Sequence, residues 1–134
     1  MAWDNDSNIV SLPASTGLRQ YRLVTVGASG VQYPSGSTLG QPIVGVIVSE
    51  GTTGSTSDSQ TVAVQVAGVA KVEMAASTLA TGGWISASSV GQGQPSTNAG
   101  DALVGKIVDG SSGAANRIVS VFLCNLGSSV APAV

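Results

Sequence analysis

The phrase "PIVGVIVSEG" at 42–51 returns as "ALVGKIVDGS" at 102–111. In both copies an aliphatic pair precedes a glycine, Gly45 or Gly105, two more aliphatics follow at the same spacing, and an acid with a small-residue turn comes after them. Each copy leads through a polar loop into a second apolar run, "TVAVQVAG" at 61–68 and "RIVSVFLCNL" at 117–126. Within those runs Val62, Val64 and Val66 correspond to Val119, Val121 and Leu123. Apolar residues at every second position describe a strand with one face in a core. The unit that recurs is therefore a β-hairpin. Its first strand, "IVGVIVS" at 43–49, is apolar on both faces and belongs in the centre of a sheet. A glycine inside such a strand marks a bulge, a bend or a close backbone approach. Gly45 and Gly105 are thus expected at two equivalent structural bends.

Further runs fill the rest of the chain. "YRLVTV" (21–26) and "VQYP" (31–34) read as a hairpin, and "VAKVEM" (69–74) as a strand after the first repeat. A short turn of helix and a strand around Trp84-Ile85 are expected in 75–88, with a polar loop over 89–100. Aromatic residues are only 4%, so the core must be built from Val, Ile, Leu and Ala. Short β-branched runs with Gly-rich turns predict an all-β fold. The expected architecture is a small compact β-barrel or sandwich of about seven to ten strands, the two similar hairpins forming two sides of one barrel. An extended N-terminal arm is expected over 1–20, the β-barrel domain over 21–127 and a flexible C-terminal tail over 128–134. Trp3, Ile9, Val10, Leu12 and Arg19 in the arm are candidate contact residues: Trp3 and Ile9-Val10 are apolar anchors in a polar segment, and Trp3 has little to pack on locally.

The chain offers little to chemistry. Histidine is absent, which removes the commonest general base and metal ligand. Glu50 and Asp109 follow matching strands and would make a carboxylate pair, but acids favour such turns in any case. No catalytic residue, cofactor site or metal site is expected, and no enzyme. The cations Arg19, Arg22, Lys71, Lys106 and Arg117 are scattered, so nucleic acid is not an expected partner. Neither a signal peptide nor a membrane span is expected, since no apolar run approaches about 20 residues. The single Cys124 reads as a small buried hydrophobe. Lys106 stands where the first repeat has Val46, its stem over the sheet with a subunit contact as the alternative, and Trp84 reads as a core or rim anchor.

The sequence "LGQPIVGVIVSEG…TVAVQVAGVAKV…TLATGGWISAS…AGDALVGKIVDGSSGAANRIVSVFLCNLG" resembles the small capsid decoration, or cement, proteins of tailed bacteriophages, over about residues 21–127. The resemblance lies in the cadence: an aliphatic-glycine-aliphatic strand, a "V-x-V-x-V-x-G" strand, a strand with an aromatic, then "LVG" and a final alternating strand. It implies a β-barrel on the outer surface of an icosahedral head, often a homo-trimer, clamping neighbouring major capsid subunits. Localisation would then be the virion. On this reading the arm carries capsid or subunit contacts, and its deletion leaves the barrel folded. The alternative is a tail, fibre or carbohydrate-binding β-module of a virion.

Overall fold

The structure is a computed structural model that describes residues 8–15, 17–35, 43–49, 61–75, 81–96, 102–109 and 116–124. Trp3, the loop 50–60, the helical turn expected before Thr81 and the tail 128–134 lie outside the described residues. The strands are β1 (Ile9–Pro13), β2 (Leu23–Gly27), β3 (Gly30–Gln32), β4 (Gly45–Ile47), β5 (Thr61–Gln65), β6 (Gly68–Glu73), β7 (Trp84–Ala87), β8 (Gly93–Pro95), β9 (Gly105–Asp109) and β10 (Ile118–Leu123). They build two five-stranded antiparallel sheets, in the orders β1-β5-β4-β2-β3 and β6-β10-β9-β7-β8. The second order is the first with five added to each strand number.

Register repeats as faithfully as topology. Leu23 pairs with Val46 as Trp84 pairs with Lys106, and Val46 pairs with Gln65 as Lys106 pairs with Phe122. Leu12 opposes Val62 as Val72 opposes Val119. The connecting hydrogen bonds match too. Val44 N–H donates to Val24 O at 2.9 Å, and Val104 N–H to Ile85 O at 2.9 Å. The hairpin repeat is thus the legible part of a duplication of whole halves, joined between β5 and β6 by Val66 and Ala67 alone.

Each half curls on itself. The edge strands of the first sheet meet at one parallel bridge, Ala14 to Val31, and those of the second at Met74 to Gly93. A single bridge does not complete a ladder, so neither sheet is a closed barrel. The two hairpins also do not form two sides of one barrel, because each lies at the centre of its own sheet. This corrects the single-barrel expectation. Alternating apolar residues supply an inner face in each half: Val24, Ile47, Val62 and Val64 in the first, Ile85, Ile107, Val119 and Val121 in the second. The second core additionally contains Leu23, Ile43 and Val46 from the first half. Leu23 and Val46 point away from their own inner face and are fully buried at this joint. Each contributes on the order of 2 kcal/mol by leaving water.

Two expected boundaries move. Residues 9–13 of the supposed arm are strand β1, paired along its length with β5, and Ala14 and Leu18 are buried in the first core. The arm is part of the sheet because Val10 and Leu12 sit opposite Val64 and Val62. The expected polar loop 89–100 contains β8, which carries no large apolar residue and is held by backbone pairing to β7. Its Pro95 is compatible with an edge strand.

Tyr21 and Gly82 occupy equivalent places, each donating its N–H to the carbonyl of Ile47 or Ile107, and both have positive φ, 68° and 83°. A side chain at Gly82 would meet nothing within 4 Å. Gly82→Ala should therefore cost about 1 kcal/mol, the backbone term alone. Urea unfolding at equilibrium measures it, and a neutral result would show that the turn relaxes out of the left-handed region.

Candidate interaction surface

On the outer face of the second sheet, strand register aligns four side chains across four strands. Val69 on β6 opposes Phe122 on β10, Phe122 opposes Lys106 on β9, and Lys106 opposes Trp84 on β7. Val69 and Phe122 are 54% and 48% exposed. The Lys106 ammonium lies 4.9 Å from the centre of the Trp84 ring, a cation–π distance. Beside this row the Lys71 ammonium donates to the Ser120 hydroxyl at 2.8 Å. The equivalent row on the first sheet is Ile9, Gln65, Val46 and Leu23. There Val46 and Leu23 are covered by the second half; the second sheet has an aromatic–cation pair at the same two positions, with Trp84 half-buried and Lys106 exposed.

The joint that covers the first row is polar at its margin. The Arg22 guanidinium pairs with the Glu73 carboxylate and donates to Val90 O at 2.8 Å. Glu73 N–H donates to Tyr21 O at 2.9 Å, and Leu23 N–H to Gly91 O at 2.7 Å. Arg22 is buried, and both of these partners of its guanidinium, Glu73 and Val90 O, belong to the second half.

Of the residues singled out from sequence, Ile9 and Val10 are exposed on β1, Leu12 packs against the first core, and Arg19 is exposed with its N–H donating to Tyr33 Oη at 2.8 Å. The structure brings Ile9 and Val69 to one groove of about 280 Å³, lined also by Asn8, Gln65 and Gly68. Gly45 and Gly105 are points of close approach: a Cβ there would collide with the carbonyl oxygen of Gln65 or of Phe122. Cys124 is half-buried at the end of β10. Glu50 lies outside the described residues, and Asp109 is exposed at the end of β9. A second hollow, of about 10 Å³ between Val44, Val66, Val104 and Leu123, has room for one water at most. Among the described residues no group of three or more His, Cys, Asp or Glu could hold a metal ion.

The outward row was missed in the sequence, although alternation in "RIVSVFLCNL" contains it. If Val119, Val121 and Leu123 face inward, Ile118, Ser120 and Phe122 face outward. Compared with protein-family models, curated proteins and solved structures, the chain matches none.

Proposed function

We propose that the chain is a structural virion protein without catalytic activity, a capsid decoration protein that binds the outer surface of an icosahedral phage head and clamps neighbouring major capsid subunits. One observation supports it above the rest: the large apolar side chains of Val69 and Phe122 stand side by side, exposed, on the outer face of the second sheet. Such faces suit docking on protein surfaces. The phage and the trimer come from the resemblance in sequence cadence, and the all-β fold is compatible with it. The major capsid protein is the partner in this reading; nucleic acid, membrane and cofactor have no part in it. Ile9 and Arg19, with Trp3 in the segment before Asn8, would touch the shell. Several weak contacts made by one homo-trimer add through effective concentration. A carbohydrate-binding role is less well supported, since among the described residues no aromatic side chain lines the groove beside Ile9.

Co-sedimentation with mature shells that lack the protein tests the reading. Saturable binding by the full chain is expected. Removing residues 1–7 should leave the melting temperature within a few degrees and abolish binding, whereas removing 1–20 takes away β1 and should unfold the first half. A folded full-length chain that fails to sediment with the shells would overturn the capsid assignment.

A further inference from the structure

Ala70 and Ala87 are 2% and 1% exposed in the second core, while their register equivalents in the first half, Val10 and Val26, are 37% and 58% exposed. The halves share strand order and register, so the difference comes from what covers the second half. The first-half residues in that core are Leu23, Ile43 and Val46. The outer face of the first sheet therefore closes the open end of the second. This contact is not twofold. Glu73 gives its N–H to Tyr21 O, but Pro13, which stands where Glu73 stands, has no N–H to give to Gly82. Correspondingly, Lys106 is exposed and Trp84 only half-buried, where Val46 and Leu23 are fully buried. Each chain thus carries one unused closing face, around Trp84 and Lys106, and one unused open end, at Val10 and Val26.

We infer that these two surfaces are partners: the Trp84–Lys106 face of one chain docks at the Val10–Val26 end of a second copy, repeating between chains the joint that holds the two halves together. The occupant is a copy of this chain because both sides of the required contact are present on each chain, an apolar end at the exposed Val10 and Val26 and a half-buried Trp84 beneath the exposed Lys106 ammonium, and because the chain already contains one example of the contact. The contact between chains is weaker than the one within. Gly83 and Pro13 replace the Arg22–Glu73 pair, and the larger Trp84, Val10 and Val26 make the contact shallower. Association is therefore concentration-dependent. A head-to-tail contact closes into a ring or extends as an open chain. The pairing depends on the internal repeat and not on any capsid.

Sedimentation velocity on the full chain from about 10 µM to about 1 mM covers the range of a weak interface. Reversible association is expected. Val26→Asp at the open end, and Lys106→Glu with Trp84→Ser at the closing face, should each weaken it at least tenfold. Where the double variant lowers the melting temperature, the exposed Lys106→Glu alone takes its place. Mixing the two lesions leaves one intact pair of surfaces, so the mixture should give dimers and nothing larger. A wild-type chain that stays monomeric throughout, association that survives either lesion, or a mixture that stays monomeric would each overturn the inference.

Discussion

Gly105→Ala and Gly45→Ala are each expected to lower the melting temperature by about 10 °C. A Cβ at Gly105 would run into the carbonyl oxygen of Phe122 and crowd Val121, and one at Gly45 would run into the carbonyl oxygen of Gln65 and crowd Val64. The obstacle is main chain in the neighbouring strand, which cannot swing away as a side-chain tip can. Relief requires the central pair, β4 with β5 or β9 with β10, to separate. A cost of about 3 kcal/mol follows from the range for enforced strain and overpacking in a core. For a domain of this length that corresponds to the stated shift. Comparison with Gly82→Ala separates two causes, since Gly82 has positive φ but open space around it. Equal small effects at all three positions would mean that the strands part easily, and the close approach would then have no energetic weight.

Arg22→Met should destabilise the protein by about 3–5 kcal/mol, because it strands the Glu73 carboxylate at a largely buried position. The Arg22 and Glu73 side chains are 8% and 14% exposed, and the guanidinium also satisfies Val90 O. Arg22→Met combined with Glu73→Met should recover most of the loss, since the two apolar side chains bury without an unpaired charge. A double-mutant cycle read by urea unfolding measures the coupling. Additive losses would show that the pair is not what holds the margin of the joint. Because this pair spans the two halves, the single variant should also broaden the transition as the first half loosens from the second.

Much of the fold was legible in the chain. Alternation in "TVAVQVAG" and "RIVSVFLCNL" marked the inward residues Val62, Val64, Val119 and Val121, all of them buried. Apolar residues on both sides of Gly45 marked a central strand, and β4 and β9 are central in their sheets. Strands β1 and β8 were not legible as strands for different reasons. β8 is held by main-chain pairing, which leaves no trace in side-chain polarity. β1 has exposed Ile9 and Val10 and only Leu12 packed against the core, so its pattern reads as an arm.

The extent of the duplication was hidden as well. Leu23 and Val46 hold the places of Trp84 and Lys106, and Pro13 that of Glu73, so side-chain similarity has been lost where the halves do different work. Local sequence determined strand period, the central hairpins and the composition of the core, because those depend on neighbours within a few residues. Which face of which half is covered was decided only by tertiary structure. Leu23 and Trp84 occupy the same register in the same kind of strand, and the burial of one and not the other is set by residues some fifty or more positions away, at Glu73, Val90 and Gly91.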